Sequence, residues 1–184
     1  MLYPLSGKYF HHYAELIEQV GKEPSFQRNR DRVVDYVKEA RADKARCFFI
    51  GNGGSAATAM HFATDFQKAA KIPSMSFTCP SDITALGNDC GYSSTYSDQL
   101  AHHGRHGDIL FALSASGESP NILLASKFGR ERGLVLVTLS GFKDTNALRG
   151  IGHVNFHVPS EQYGLVEVVH MAILHNILDR IIYE

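Results

Sequence analysis

The chain has 184 residues, 44% of them apolar and 20% charged, and its formal net charge at pH 7 is −1. This length can bury a substantial core within a single domain, and a charge near zero creates no field that would attract nucleic acid or an anionic membrane. The apolar runs are shorter than the roughly 18 to 20 residues of a membrane span, and the first residues, MLYPLSGKYF, lack the features of a secretion signal. We therefore expect a cytoplasmic protein with a small-molecule partner, and neither a nucleic-acid nor a membrane partner.

Three cysteines, Cys47, Cys79 and Cys90, follow no spacing typical of a zinc ribbon or a disulfide framework. Free cysteine is among the most buried residue types. We expect reduced thiols that are mostly buried.

Two hydrophobic periods alternate along the chain. Helical spacing predicts two N-terminal helices at 8–20 and 31–41, within a region that extends to residue 45. Short apolar runs then predict five buried strands, at 46–50, 74–78, 108–113, 134–139 and 153–158. Helical patterns lie between them at 55–70, 92–103 and 119–132, and a long one follows at 166–183. This alternation predicts one α/β domain over residues 1–184, a three-layer αβα sandwich around a five-stranded parallel sheet at 46–184.

Ligands of open parallel sheets bind where strands end and helices begin. The first such loop is GNGGS at 51–55, in which the glycines allow a sharp turn and Ser55 can begin a helix. The second is SASGESPN at 114–121, in which Ser114, Ser116 and Ser119 precede another helix. Hydroxyls beside free helix N–H groups suit a phosphate, because all of them donate hydrogen bonds at the positive end of the helix dipole. Neither loop fits a nucleotide-binding motif, so the two loops indicate a monophosphorylated small molecule.

Four segments together resemble the sugar isomerase (SIS) domain family, and within it the phosphoheptose isomerases: GNGGSAATAMHFATDF, LGNDCGYS, ALSASGESPNI and EVVHMAILH. The similarity extends over nearly the whole chain. It implies a flavodoxin-like fold and the isomerisation of sedoheptulose 7-phosphate to a heptose 7-phosphate. It also implies one zinc or similar divalent ion per subunit, and a homotetramer whose active sites lie at subunit interfaces.

Matching positions imply roles for individual residues. Asn52, Gly53, Ser55 and Asp89 match residues near the sugar, and the three serines of the second loop match the phosphate cradle. The metal-binding residues of the family match His61, Asp65, Glu167 and His175. His61 and Asp65 are one helical turn apart, and Glu167 and His175 are two turns apart, so each pair shares a helix face. Aldose–ketose isomerisation needs proton transfer between adjacent carbons through an enediol, and we assign that role to Asp65 and His175.

The sequence also departs from the family pattern around the sugar. Asp65 stands where the family has glutamate, Glu167 where it has glutamine, and Ala115 where it has threonine. The segment at 163–167 lacks an acidic–basic pair and is one residue shorter. Two alternatives therefore stay open: a sugar-phosphate-binding module or regulator without catalysis, and an isomerase of a different sugar phosphate.

Overall fold

The computed structural model describes residues 8–183; residues 1–7 and Glu184, which the predicted domain includes, lie outside the described residues. The strands are β1 (Cys47–Ile50), β2 (Ser74–Ser76), β3 (Ile109–Ser114), β4 (Val135–Ser140) and β5 (Val154–His157). They form one sheet in the order β2-β1-β3-β4-β5, and every neighbouring pair is parallel. The predicted α/β fold with a five-stranded parallel sheet is confirmed.

The helices flank this sheet. They are α1 (Lys8–Lys22), α2 (Pro24–Ala42), α3 (Gly54–Asp65), α4 (Pro80–Asp89), α5 (Thr95–His103), α6 (Pro120–Glu131) and α7 (Tyr163–Tyr183). A π-helical turn, Phe66–Ala70, extends α3, and 3-10 turns at Tyr92–Ser94 and Ala147–Gly150 precede α5 and β5. Between residues 8 and 183, no helix is both long enough and apolar enough to cross a bilayer.

Both faces of the sheet are buried, since successive side chains of a strand point to opposite faces. Phe49 of β1 stacks on Phe111 of β3 and belongs to the core shared with α2, α3 and α7. Its neighbour Phe48 stacks on Phe77 within the opposite core, which includes residues of α5 and α6. Because both faces of the sheet are buried in these cores, β1, β3 and β4 are near-continuous apolar runs. This apolar pattern is what predicted the three strands from the sequence.

Two helices depart most from the sequence prediction: α2 begins earlier, and α4 was not predicted. Helix α2 begins at Pro24 rather than at residue 31, with proline in its first turn, where the missing N–H costs no hydrogen bond. Helix α4 is absent from the prediction because none of its residues is buried, so it has no apolar stripe to detect. As a result the LGND segment ends a helix instead of forming a loop.

The expectation of mostly buried thiols is wrong for two of the three cysteines. Cys47 is buried in β1, and burial raises the pKa of its thiol. Cys79 and Cys90 are exposed at the two ends of α4. The general preference of cysteine for the core fails here because α4 lies entirely on the surface.

Candidate functional site

The glycine loop, residues 51–53, connects β1 to α3. Gly53 has φ +55° and ψ −123°, a conformation that side chains disfavour. A Cβ on Gly51 would lie 2.6 Å from the main-chain carbonyl of Ser55, so the chain can turn this tightly only with glycine. The hydroxyl of the buried Tyr96 donates a hydrogen bond to the main-chain carbonyl of Gly51. The loop therefore packs against the buried Ser55 in the first turn of α3.

Asn52 ties the glycine loop to the neighbouring loop. Its amide exchanges two hydrogen bonds with Asn121 at the start of α6, each 2.9 Å long. The hydroxyl of Tyr92 also donates to Asn52 Oδ1, at 2.9 Å. Neither Asn121 nor Tyr92 was named as a site residue, although Asn121 ends the predicted SASGESPN loop and Tyr92 lies in the LGNDCGYS segment of the family resemblance.

The serine loop, residues 114–119, connects β3 to α6. Ser114 Oγ donates to Ser119 Oγ at 3.1 Å and accepts from the N–H of Gly117 at 3.1 Å. Ser116 Oγ accepts from the N–H of Glu118 at 3.2 Å. Gly117 has φ +68°, so the loop needs glycine at this position. The three hydroxyls therefore converge on one side of a tightly turned loop.

The two loops line one pocket of about 200 Å³, which we call the serine pocket. Tyr163 at the start of α7 forms part of its wall and packs edge-on against Phe142, with ring centroids 4.9 Å apart. The lining residues are Asn52, Ser55, Leu113, Ser114, Ala115, Ser116, Ser119, Tyr163 and Glu167. The fold thus brings together most of the residues that the sequence assigned to substrate binding.

Glu167 lies beside the first turn of α3. A Cβ on Gly54 would be 2.2 Å from Glu167 Oε2, so the carboxylate occupies the space that a side chain at Gly54 would fill. A carboxylate is favourable there because the helix N-terminus carries partial positive charge. This places Glu167 in the serine pocket, two turns away from His175, and apart from the other predicted metal ligands.

His61, Asp65 and His175 form a separate cluster farther along α3 and α7. One possible ligand atom from each residue lies within 4.8 Å of the other two. His61 Nε2 is 3.1 Å from Asp65 Oδ2, and the rings of His61 and His175 have centroids 5.2 Å apart. Lys68 Nζ is 3.8 Å from Asp65 Oδ1. Two imidazoles and a carboxylate are a donor set that suits zinc or a similar divalent ion, so these residues fit the predicted metal.

The cluster and the serine pocket lie at two levels of the same helix pair. The axis of α3 rises about 9 Å between Ser55 and His61. Helix α7 passes Glu167 at the level of Gly54 and His175 at the level of His61. A ligand that fills the pocket and reaches the cluster must therefore be elongated.

Two residues of interest lie elsewhere. Asp89 is exposed at the end of α4 and accepts a hydrogen bond from Asn88, outside the residues that line the serine pocket. His170 is buried in the core, where its Nε2 is 3.1 Å from the carbonyl of Ser140. Burial lowers the pKa of His170 to about 4.

A larger cavity of about 560 Å³ lies between the N-terminal helices and the end of β5. Phe26, Asn29, Arg149, Asn155 and His157 are among its lining residues. It contains none of the residues that the sequence predicted for binding or catalysis. Size therefore does not identify the functional site here, whereas the converging hydroxyls and the ligand cluster do.

A sequence model of the SIS domain family matches residues 8–141. Together with the parallel sheet and the loops at its carboxyl edge, this match shows that the chain belongs to the SIS domain family. The resemblance found in the motifs is confirmed.

Similar proteins include several phosphoheptose isomerases. The one from Fusobacterium nucleatum is 31% identical over 170 residues, which cover 90% of this chain and 87% of that protein. The one from Rhodospirillum rubrum is 38% identical over 136 residues, covering 71% and 72%. The structure of the phosphoheptose isomerase from Neisseria gonorrhoeae matches with a TM-score of 0.87 at 26% identity, over 94% of both chains.

The fold also occurs in a protein solved in complex with ManNAc-6P. The Vibrio vulnificus NanR protein, solved in complex with ManNAc-6P, matches with a TM-score of 0.71 at 15% identity, covering 97% of this chain and 63% of that one. This likeness concerns the fold alone.

Proposed function

We propose that this protein is an aldose–ketose isomerase that interconverts sedoheptulose 7-phosphate and D-glycero-D-manno-heptose 7-phosphate. One observation carries the proposal: a pocket lined by three serine hydroxyls, with the Glu167 carboxylate in its wall, and a cluster of potential metal ligands lie at two levels of the same helix pair. A seven-carbon sugar phosphate has its phosphate at one end and its reacting carbons at the other. The similarity to phosphoheptose isomerases supports this choice of substrate.

The serine pocket binds the phosphate end in this proposal. Ser114, Ser116 and Ser119 donate hydrogen bonds to the phosphate oxygens, together with the main-chain N–H of Asn121, because Pro120 has no N–H and that of Ile122 donates to Asn121 Oδ1. Asn52, Gly53 and Ser55 contact the sugar from the glycine loop. Asp89 is proposed as a further sugar contact on the family resemblance alone.

His61, Asp65 and His175 hold a divalent metal in this proposal, one zinc ion per subunit. When bound, such an ion polarises the substrate carbonyl and stabilises negative charge on its oxygen. Glu167 is retained as the fourth proposed ligand on the family resemblance, although its carboxylate lies beside Gly54.

Asp65 and His175 carry out the proton transfers. The base removes the proton from the carbon next to the carbonyl while the carbonyl oxygen gains a proton, which gives an enediol. A proton then returns to the former carbonyl carbon while the hydroxyl on the neighbouring carbon loses its proton and becomes the new carbonyl. His61 contacts the Asp65 carboxylate at 3.1 Å and so orients it. The half-buried position of Asp65 and the helix that carries it hold the shorter aspartate arm in a defined direction.

The subunit arrangement is proposed as a homotetramer in the cytoplasm, with active sites at subunit interfaces. Large apolar side chains are exposed on the helices next to the site, including Phe10 at 78%, Val168 at 46% and Ile182 at 39%. A contact with another copy of the chain would remove these side chains from water. Light scattering of the purified protein measures the number of subunits directly.

A sugar-phosphate-binding module without catalysis is the second candidate. Ala115 favours it, because a methyl group replaces a hydroxyl in the pocket wall, and so does the occurrence of the fold in a protein solved with ManNAc-6P. The metal-ligand cluster favours catalysis, because binding alone needs no acid and base.

Metal content and turnover of sedoheptulose 7-phosphate, measured for the wild type and for Asp65→Asn, test the proposal. We expect one divalent ion per chain and turnover that falls at least about 100-fold in Asp65→Asn. Metal without turnover would direct the search to other sugar phosphates. Binding of sugar phosphate with neither metal nor turnover would establish the second candidate.

A further inference from the structure

The segment that follows β4 runs along the serine loop. We call residues 141–149 the β4 loop. The N–H of Gly141 donates to the carbonyl of Ala115 at 2.9 Å, and the N–H of Leu148 donates to the carbonyl of Gly117 at 3.0 Å. The N–H of Ala147 donates to Glu118 Oε1 at 2.8 Å. The serine loop is therefore attached to a second loop at Ala115, Gly117 and Glu118.

Asn146 lies at the centre of the β4 loop and is only 4% exposed. Its Nδ2 is 3.3 Å from Ser140 Oγ, 3.0 Å from the carbonyl of Gly141 and 2.7 Å from the carbonyl of Lys143. Its Oδ1 accepts from the N–H of Arg149 at 3.1 Å. Because both ends of this buried amide are satisfied, its orientation is fixed.

The side-chain amide of Asn146 also packs against Gly117. A Cβ on Gly117 would lie 2.1 Å from Asn146 Oδ1, so no atom separates the two residues. Gly117 has a positive φ, and its N–H donates to Ser114 Oγ. If Asn146 moved, Gly117 could move with it, and the hydrogen bond from the Gly117 N–H to Ser114 Oγ would change.

We infer that Asn146 is a positioning residue, which holds the serine loop in its phosphate-binding shape; this inference rests on the proposed function of that loop. Among the described residues that line the serine pocket, none is a lysine or an arginine. Within this chain, affinity for an anion must then come from the geometry of hydroxyl and N–H donors, which has to outweigh the negative charge of Glu167 in the same pocket. Glycine and serine leave a loop of this kind flexible, so preorganisation has to come from its neighbours.

The test compares Asn146→Ala with Asn155→Ala, two neutral changes near the same serine. Asn155 Nδ2 also bonds Ser140 Oγ, at 3.3 Å, and Thr138, but its described hydrogen bonds do not include the serine loop. Titration calorimetry gives Kd for inorganic phosphate and for sedoheptulose 7-phosphate, and turnover gives KM and kcat. We expect Asn146→Ala to raise both Kd values and KM about tenfold, with kcat changed less than about twofold. Asn155→Ala should leave all four constants near the wild-type values.

A merely structural role of Asn146 predicts a different result. Both variants would then lower the melting temperature without a selective change in Kd or KM, and equal Kd values for Asn146→Ala and the wild type would overturn the inference. If Asn146→Ala does not fold, the exposed Glu118 offers a second pair of variants. Glu118→Ala removes the bond to Ala147 together with a negative charge, whereas Glu118→Gln removes the charge and can keep the bond, so Kd should be about threefold higher for Glu118→Ala than for Glu118→Gln. Equal Kd values for these two variants would equally reject the inference.

The outcomes also separate this inference from the proposed function. Wild-type protein that binds sedoheptulose 7-phosphate without converting it would reject the isomerase while leaving the positioning role testable through Kd. Wild-type protein that turns the substrate over, together with Asn146→Ala that binds it as tightly, would reject the positioning role alone. Wild-type protein that binds neither ligand would overturn the positioning role, because the loop would then hold no phosphate.

Discussion

Gly54 and Glu167 show how one glycine determines where a neighbouring helix places a charge. The first turn of α3 has no side chain at Gly54, and the carboxylate of Glu167 fills that space, 2.2 Å from where a Cβ would be. The glycine at this position is thus required for a contact between helices. The spacing along the sequence predicts that Glu167 and His175 share a helix face, but it does not predict the contact between Glu167 and Gly54.

Gly54→Ala tests this contact. Alanine favours a helix over glycine by about 1 kcal/mol, so without a clash the change should stabilise the protein. With Glu167 present we expect the opposite, a lower free energy of unfolding, because the carboxylate must move. In the background of Glu167→Ala the same change should become stabilising. Urea unfolding of the four variants measures the sign, and a stabilising Gly54→Ala with Glu167 present would contradict the contact.

At the scale of elements, α7 connects the site to the core. It runs from Tyr163 in the serine pocket past His175 in the ligand cluster, and one side of it packs on the sheet through residues such as Val166, Ile173 and Ile177. Its other side remains open, with Val168 and Ile182 exposed. The same helix therefore supplies core stability, site residues and the proposed subunit contacts.

A pair of variants measures the core contribution of α7. Ile177 is fully buried, so Ile177→Ala should lower the free energy of unfolding by about 2–5 kcal/mol through lost burial and a residual cavity. Leu124 on α6 is 43% exposed and is not one of the proposed subunit contacts, so Leu124→Ala should cost less than about 1 kcal/mol. Equal losses in denaturant unfolding would mean that the face of α7 that packs on the sheet is wrongly assigned.

His170 gives the same helix a pH-dependent contact with β4. Burial lowers the pKa of His170 to about 4, below the value of 6.5 expected in the unfolded chain. Between these values the unfolded chain binds a proton that the folded protein does not, so the free energy of unfolding falls as the pH drops from 6.5 towards 4 and is unaffected above that window. From pH 7 to pH 5 the loss is about 2 kcal/mol.

Urea unfolding of metal-free protein at pH 7 and pH 5 checks this expectation. His170→Gln, which can still donate to the carbonyl of Ser140, should remove most of the difference between the two pH values. The exposed His102 provides the control, and His102→Gln should retain the wild-type pH dependence. A slope unchanged in His170→Gln would mean that other groups cause it.

At the scale of the whole molecule, the ligand cluster joins the two helices that border the site. His61 and Asp65 lie on α3, and His175 lies on α7, so a metal bound to all three would hold these helices together in the folded state. A ligand that binds only the folded state stabilises it by mass action, by about 2.7 kcal/mol at 100 times its Kd.

Zinc should therefore raise the melting temperature of the wild type. His175→Ala removes one ligand from the cluster and should abolish most of this increase, whereas His102→Ala should preserve it. Thermal unfolding with zinc and with a chelator provides the comparison. A zinc-dependent increase that survives in His175→Ala would exclude the proposed ligand set.

The sequence by itself determined the layers of this fold and the residues of the two loops that line the candidate site. Buried strands and amphipathic helices carry their periods in the apolar pattern, so the sheet and most of the helices were predictable. The exposed helix α4, which buries no side chain, left no such pattern. The glycine and serine loops were predictable because their residue types meet a local requirement for tight turns and free hydroxyls.

Only the tertiary structure decided which side chains share a site. It placed Glu167 against Gly54, separated it from the cluster of His61, Asp65 and His175, and packed Asn146 against Gly117. These contacts join positions far apart in the chain, and no periodicity along one segment records them. Periodicity reports which face of an element is buried, whereas the register of one helix against another follows from packing between side chains that the sequence lists separately.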